Sequence, residues 1–179
     1  ADGIDEVIGT MRRHVDRELA RARLQGAMRS QPGASTALAP LVRSLIATLV
    51  RTPEGARIAY EIAMTEQVTV PFDRSDLAEA LGNLLENATR HARNQVRIAA
   101  GADGLGVAVE DDGSGIAEAI RPTVLARGGR LDQRGGAGLG LAIVQDVVEA
   151  YGWTLRLDTS DLGGLRATIQ PNASTGQAG

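Results

Sequence analysis

Two asparagines, an arginine and a histidine recur at helical spacing between residues 75 and 93. At 100° per residue these four side chains fall within about a third of the helix circumference: Asn83, Asn87, Arg90 and His91. The adjoining face is apolar and consists of Leu77, Leu81, Leu84, Leu85 and Ala88. Asparagine is a modestly poor helix former, so two aligned asparagines indicate either a solvated face or a face that binds a polar ligand.

A second group of polar residues follows a predicted strand, in the sequence EDDGSGI at residues 110–116. The carboxylate of Asp111 precedes Gly113 and Gly115, and glycines let a flat ligand approach the backbone. Such a carboxylate can accept a hydrogen bond from an amino group, for example that of adenine. A glycine-rich turn with acidic, solubilising residues has the same composition, so both interpretations stay open at this motif.

A third motif is the glycine-rich run GGAGLGL at residues 135–141, which opens a predicted helix. Glycines at a helix N-terminus expose backbone N–H groups where the helix dipole favours a phosphate. The glycines are spaced two and two after a loop, which differs from the G-x-G-x-x-G fingerprint of dinucleotide-binding folds. Arg127, Arg130 and Arg134 precede the run, either as phosphate ligands or as solvated loop charges.

The composition excludes several classes of protein. All 19 basic residues are arginines, which removes the essential lysine of phosphate-loop NTPases and of Ser/Thr/Tyr kinases. The absence of cysteine removes disulfides, thiol catalysis and thiolate metal sites. A net charge of −3 and 2% aromatic residues argue against nucleic-acid binding. No apolar run approaches the roughly 20 residues of a membrane span, and no signal peptide opens the sequence.

The elements that must position these motifs can be read from hydrophobic periodicity. An apolar stripe predicts an amphipathic helix over residues 1–26, and a Gly/Pro/Ser/Ala-rich stretch predicts a linker over residues 27–40. The remaining helices are predicted over 41–50, 75–93 with Ser75 as its cap, and 141–151. Strands are predicted over 57–64, 68–72, 95–101, 105–110, 153–159 and 165–170.

Helices and hairpins in mixed runs favour an α+β two-layer sandwich over a doubly wound parallel sheet. The segment 126–140 has no apolar period, so we expect a mobile loop there. The tail at residues 172–179 is small and polar, so we expect it to be flexible.

The order and spacing of the motifs are more specific than any one of them. NLLENATRHA (83–92), EDDGSGI (110–116) and GAGLGLAIV (136–144) resemble the N, G1 and G2 boxes of the GHKL ATPase superfamily. Within it, the chain is similar to the catalytic and ATP-binding domain of sensor histidine kinases, in particular those that are PhoQ-like. The resemblance covers about residues 38–171, and residues 1–26 resemble the second helix of a dimerisation and phosphotransfer hairpin.

This resemblance implies a Bergerat-type fold, in which a mixed sheet carries helices on one face, with the catalytic domain at residues 41–171. It also implies that Asp111 reads the adenine amino group and that Asn87 ligates Mg²⁺. Asn83 and Arg90 would face the phosphates and act in catalysis, and His91 would lie against the base or ribose. The rest of the implied ATP site comprises pocket and lid residues: Gly113, Gly115, Ile116, Arg130, Arg134, Gly136, Gly138, Leu139 and Gly140.

The resemblance further implies partners and a location. The γ-phosphoryl of ATP would pass to a histidine of a dimerisation domain that this chain lacks, within a homodimer, for relay to a response regulator. His14 does not match the family's acceptor box, because it lacks the adjacent carboxylate and the Thr-Pro pair. We expect the fragment in the cytoplasm and the parent protein to be an inner-membrane sensor.

The chain departs from the GHKL hydrolases at Asn83, where they resemble one another in carrying a glutamate. An amide cannot take a proton from water at neutral pH, so we expect poor ATP hydrolysis and transfer to another nucleophile. Two alternatives stay open, namely a GHKL serine kinase of the anti-sigma type and a non-catalytic nucleotide-binding dimerisation module. Phosphotransfer to a supplied hairpin with the acceptor histidine would distinguish the kinase from the non-catalytic module.

Overall fold

A computed structural model describes residues 34–101, 105–126 and 140–172, which lie in one unit, Gly33–Gly179. The predicted helix over residues 1–26, most of the predicted linker, residues 127–139 of the predicted loop and the predicted tail beyond residue 172 lie outside the described residues. None of the helices in the described ranges is long and apolar enough to cross a membrane.

The described residues form four α-helices and seven strands, with two short 3₁₀ turns. The helices are α1 (Leu38–Leu49), α2 (Arg74–His91), α3 (Arg121–Ala126) and α4 (Gly140–Ala150). The first strands are β1 (Thr36–Ala37), β2 (Ala59–Ala63), β3 (Thr69–Val70) and β4 (Gln95–Ala100). The others are β5 (Val107–Asp111), β6 (Trp153–Thr159) and β7 (Leu165–Pro171).

The main sheet has five strands in the order β2-β4-β5-β7-β6. β2 runs parallel to β4, and the other neighbours are antiparallel, so the sheet is mixed as the sequence predicted. The predicted hairpins β4–β5 and β6–β7 are both present in this sheet. β1 and β3 form a separate antiparallel pair.

The hydrophobic core lies between the helices and one face of the main sheet. Alternate strand residues such as Val96, Ile98 and Val109 are buried in it, as the two-residue period of a strand requires. α2 contributes the leucines of its apolar stripe, which are at most 2% exposed: Leu77, Leu81, Leu84 and Leu85. α2 packs against both α4 and β5, so the core fixes α2 beside the end of β5.

The opposite face of the sheet is polar and is crossed by a row of alternating charges. Glu61, Arg97, Glu110, Arg166 and Asp158 occupy directly paired positions on the five strands. At its centre Arg97 Nε lies 2.7 Å from Glu110 Oε2, and Glu110 is 1% exposed. The hydrogen bond to Glu110 raises the pKa of Arg97. The row confirms a sheet with its helices on one face only.

Three predicted boundaries are wrong. α1 begins at Leu38, inside the predicted linker, because Leu38 and Ala39 are buried and Leu38 N–H donates to the Val68 carbonyl at 3.0 Å. The N-cap of α2 is Asp73, whose side chain accepts from Ser75 N–H at 2.8 Å, so Ser75 lies inside the helix. The predicted strand over 68–72 is reduced to β3, which pairs with β1 and is not part of the main sheet.

Candidate nucleotide-binding site

Asp111 ends β5 and is 2% exposed. Its Oδ1 atom accepts hydrogen bonds from Gly113 N–H at 2.8 Å and from Leu165 N–H at 3.2 Å. In the described part of the chain, both hydrogen bonds to this carboxylate end on Oδ1, and no fully enclosed side-chain oxygen is left without a partner. Oδ2 is therefore the carboxylate oxygen that accepts no hydrogen bond from the described residues.

The pKa of Asp111 lies above its ordinary value, and burial is the main cause. Burial raises the pKa of Asp111, whereas the hydrogen bonds from Gly113 and Leu165 and the attraction of His91 lower it, and the neighbouring Asp112 carboxylate raises it. Two backbone N–H groups aimed at one oxygen favour the ionised form. The arrangement fixes the orientation of the carboxylate before any ligand arrives.

Glycines pack so closely around this carboxylate that no side chain fits. A Cβ atom at Gly113 would collide with the His91 carbonyl oxygen, and one at Gly164 would collide with Asp111 Oδ1. Gly115 has a φ of 67°, in the left-handed region that glycine adopts without strain. The protein's own packing around Asp111 therefore requires glycine at positions 113 and 164. The approach of a flat ligand to the backbone, expected from the motif at 110–116, stays a prediction.

The turn between β6 and β7 supplies part of this site that the motif analysis missed. Gly164 N–H donates to the Asp111 carbonyl at 3.2 Å, and Leu165 N–H donates to its carboxylate. Both residues belong to the sequence LGGLRATI at residues 162–169, which is not one of the three motifs singled out above. The paired glycines were the available signal, but the hydrogen bond from the following Leu165 to Asp111 spans 54 residues of sequence and depends on the sheet order.

The polar face of α2 forms the other side of the site. Asn83 and Asn87 are half-buried, and Arg90 and His91 at the end of the helix are exposed. Asn83 Nδ2 donates to the Glu79 carbonyl at 2.8 Å, within the helix. Among the described residues, the side chains of Asn87 and Arg90 have no hydrogen-bond partner.

The start of α4 meets α2 at Asn83. A Cβ atom built at Gly140 would lie 3.2 Å from Asn83 Oδ1, so the backbone of the third motif directly faces the first. Packing of α4 on α2 therefore brings the last glycine of GAGLG to the predicted phosphate end. Arg130, Arg134, Gly136, Gly138 and Leu139 lie outside the described residues.

Ile116 closes the segment that follows Asp111. It is half-buried and packs against the core, and its carbonyl accepts from Arg121 Nε at 3.0 Å. Arg121 Nη2 also donates to Thr159 Oγ1 at 2.7 Å, so one guanidinium ties this segment to the end of β6. Arg121 was not predicted from the sequence, because a lone arginine carries no pattern that distinguishes it from a solvated charge.

The fold and the site together define a class, an α+β domain that presents a buried strand-end carboxylate beside a polar helix face. The family model for histidine kinase-, DNA gyrase B-, and HSP90-like ATPases matches residues 72–175, which contain β5, α2, α4 and the β6–β7 hairpin. This chain belongs to that family.

The similar curated proteins are sensor kinases. The chain is 40% identical over 177 residues to the sensor protein kinase CarS of Pseudomonas aeruginosa, a match that covers 97% of this chain and 39% of CarS. It is 41% identical to the two-component sensor PhoQ of the same organism over 130 residues, 71% of this chain and 29% of that protein. The chain thus spans well under half the length of these relatives.

Solved structures have the same fold. The cytoplasmic segment of histidine kinase QseC matches with a TM-score of 0.64 and 22% identity, over 92% of this chain and 94% of that one. The mycobacterial sensor histidine kinase MprB matches with a TM-score of 0.65 and 25% identity, over 79% of this chain and 100% of that one. Both confirm the α+β architecture expected from the sequence.

Proposed function

We propose that this chain is the ATP-binding catalytic part of a sensor histidine kinase. The observation that carries the proposal is that the two carboxylate oxygens of Asp111 have different hydrogen-bond partners. Backbone N–H groups occupy Oδ1, while Oδ2 has no protein donor among the described residues and lies beside glycines that leave no room for a side chain. An exocyclic amino group such as that of adenine is a donor, so it matches Oδ2, whereas a carbonyl in the same place would be repelled.

The phosphate end of the nucleotide is proposed to lie along α2 and the start of α4. Arg90 is exposed and its side chain has no partner among the described residues, so it is free to contact phosphate oxygens. Asn83 sits against the backbone of Gly140, where backbone N–H groups at a helix start favour an anion. The charge of His91 attracts the Asp111 carboxylate and lowers its pKa, so His91 is near enough to Asp111 to lie beside the base or ribose.

Among the proposed site residues, Asn87 is the one assigned to Mg²⁺. Asn87 offers one hard amide oxygen, and the described residues contain no group of three acidic or histidine side chains that could hold a metal alone. Mg²⁺ commonly keeps several waters and uses one or two protein ligands together with substrate phosphates, which agrees with a single asparagine. When bound, it would neutralise charge on the phosphates, and Asn87 would orient them.

Asn83 decides which nucleophile the site can use. Its Nδ2 is a donor, occupied by the Glu79 carbonyl, and its amide oxygen cannot take a proton from water at neutral pH. The site can hold and orient the triphosphate but has no carboxylate at this position to activate water. Transfer of the γ-phosphoryl to a nucleophile that brings its own basicity, such as a histidine ring nitrogen, is the chemistry that remains.

The acceptor is proposed to be a histidine of the dimerisation hairpin of the parent protein, whose second helix corresponds to residues 1–26. Residues 27–40 would link it to a catalytic domain at 41–171. The match to CarS covers 97% of this chain, so the similarity to a sensor kinase is not confined to the ATP-binding fold. The phosphorylated histidine would serve a response regulator, and the parent would be an inner-membrane sensor with this part in the cytoplasm.

The decisive experiment is transfer of radiolabelled phosphate from Mg·ATP to a supplied hairpin that contains the acceptor box. We expect an acid-labile label on the hairpin histidine and none on this chain alone, because His14 lacks the neighbouring carboxylate. Asp111→Asn should abolish the transfer, and Asp158→Asn, on the opposite face of the sheet, should leave it unchanged. Acid-labile phosphate on His14, or ATP binding without any transfer, would contradict the proposal.

A further inference from the structure

Asp112 makes a cluster of hydrogen bonds that the proposed ATP contacts do not use. Its Oδ1 atom accepts from Arg93 N–H at 2.8 Å, from Asn94 N–H at 3.1 Å and from Gln95 N–H at 3.2 Å. Its Oδ2 atom accepts from Asn94 N–H at 3.0 Å. Consecutive N–H groups that converge on one anion form a backbone nest, here filled by a carboxylate of the protein itself.

The nest lies in the turn that connects α2 to β4. α2 ends at His91, Ala92 is its extended C-cap, and the chain then turns through the three N–H donors into β4. The backbone of Asp112 takes part as well, since its N–H donates to the Gln95 carbonyl at 3.3 Å. Next along the chain, Gly113 lies directly against the His91 carbonyl oxygen. Asp112 thus fastens the end of β5 to the turn that follows α2, and Gly113 packs against the last residue of the helix.

The electrostatics show that the carboxylate is charged in this position. Burial alone would raise the pKa of Asp112, but the hydrogen bonds from Asn94, Gln95 and Arg93 outweigh it and hold the pKa below its ordinary value. Hydrogen bonds to an ionised acceptor are about twice as strong as neutral ones. The hydrogen bonds between Asp112 and the turn after α2 are therefore stronger than bonds between neutral backbone groups would be.

The geometry points to Asp112 as a positioning residue that sets the distance between the two ends of the nucleotide site. This inference rests on the proposed function and deepens it. Asp111, which would hold the base, is bonded covalently to Asp112, and Arg90, which would face the phosphates, lies on the last turn of the helix that Asp112 fastens. A nucleotide spans both ends as one molecule, so a change in their separation forfeits contacts at one end.

The test uses two variants and two ligands. Asp112→Asn keeps an oxygen for the N–H groups at Oδ1 but loses the charge and the Oδ2 acceptor, whereas Asp112→Ala loses every hydrogen bond. ATP affinity is measured by calorimetry, and adenosine affinity by NMR titration, at a temperature where circular dichroism shows each variant fully folded. We expect ATP to bind about 3- to 10-fold more weakly to the asparagine variant and about 10- to 100-fold more weakly to the alanine variant. Adenosine affinity should change less than about twofold, since the base end is intact.

The control is Asp158→Asn, a carboxylate on β6 that pairs with Arg156 at 2.9 Å on the open face. It should leave both affinities unchanged. A lower melting temperature with unchanged ATP affinity in the folded variants would overturn the inference, because Asp112 would then stabilise the fold only. Equal losses for ATP and adenosine would also overturn it, since they would place the damage at Asp111. If Asp112→Ala does not fold, the comparison of ATP and adenosine affinity is made with Asp112→Asn alone. Failure of the unmodified chain to bind ATP would instead overturn the proposed function.

Discussion

The two ends of the candidate site differ in how completely the protein has built them. At the base end, Asp111 is 2% exposed, its Oδ1 is saturated by backbone donors, and Gly113 and Gly164 leave no room for a side chain. At the phosphate end, Asn83 and Asn87 are half-buried, Arg90 is exposed, and the Asn87 and Arg90 side chains have no partner among the described residues.

This difference agrees with what each end is proposed to bind. A base is uncharged and its amino group needs one well-oriented acceptor, so a rigid carboxylate in a backbone cradle serves it before the ligand arrives. Phosphates and a metal ion are charged and hydrated, so the side chains that would bind them can stay in contact with solvent before the ligand arrives. In that position Arg90 is not a buried cation without a partner. The base end should therefore tolerate almost no substitution, while the phosphate end should lose binding without losing the fold.

The largest effect is expected from Gly164→Ala, which adds a side chain where Gly164 packs against Asp111. The added Cβ would collide with Asp111 Oδ1, so either the carboxylate or the β6–β7 turn must move. We expect a loss of about 1–3 kcal/mol in the free energy of unfolding and at least about 100-fold in ATP affinity. Chemical denaturation and calorimetry measure the two quantities.

Gly82→Ala is the matched control for this substitution. Gly82 lies within α2, and a Cβ built there meets no heavy atom within 4 Å. Alanine is the better helix former, so the free energy of unfolding should rise by about 0.5–1 kcal/mol, with ATP affinity unchanged. Equal behaviour of the two alanine variants would show that the cradle around Asp111 is not tightly packed.

The next effect is that of Asp111→Asn. Two N–H donors at the Oδ1 position require the amide oxygen there, so the amide NH₂ takes the Oδ2 position and faces a ligand amino group, donor against donor. We expect ATP affinity to fall about 10- to 100-fold, while circular dichroism shows an intact fold. An unchanged affinity would remove Asp111 from the site.

At the phosphate end, Asn87→Leu is expected to remove the dependence of ATP affinity on Mg²⁺. The substitution nearly preserves volume but deletes the only oxygen that this side chain offers a metal. ATP titrations with and without Mg²⁺ should differ by about tenfold for the unmodified chain and not at all for the variant. Asn94→Leu, at an exposed position in the turn after α2, should keep the full metal response. Loss of the response in both would contradict a specific role for Asn87.

The smallest effect is a pH dependence of opposite sign for the two adjacent carboxylates. The pKa of Asp111 is raised in the folded state, so its contribution to the free energy of unfolding is complete below 3.8 and is lost as the pH rises through the raised pKa. The pKa of Asp112 is lowered, so its contribution is present above 3.8 and is lost as the pH falls through the lowered pKa. Denaturation at about pH 3 to 6 should show Asp111→Asn removing the first dependence and Asp112→Asn the second. Identical profiles for both variants would contradict the opposite shifts.

Much of this arrangement could be predicted from the sequence. The leucine period located α2 within two residues at each end, and the alternation of apolar residues located β4, β5, β6 and β7. The carboxylate at the end of β5 and the polar face of α2 were both identified from spacing. The cap of α2 was missed because Asp73 and Ser75 are both good capping residues, and residue type alone does not distinguish them.

The sequence by itself determined the class of fold, the family and the residues that line one face of α2, because these depend on local periodicity and on motif order. Only the tertiary structure decided which oxygen of Asp111 remains for a ligand, because the second donor to this carboxylate comes from Leu165, 54 residues away. It also decided that Asp112 fastens α2 to β5, since the sheet pairing brings Gln95 beside it. Hydrogen bonds between distant segments follow strand order and register, which a linear pattern of residue types does not contain.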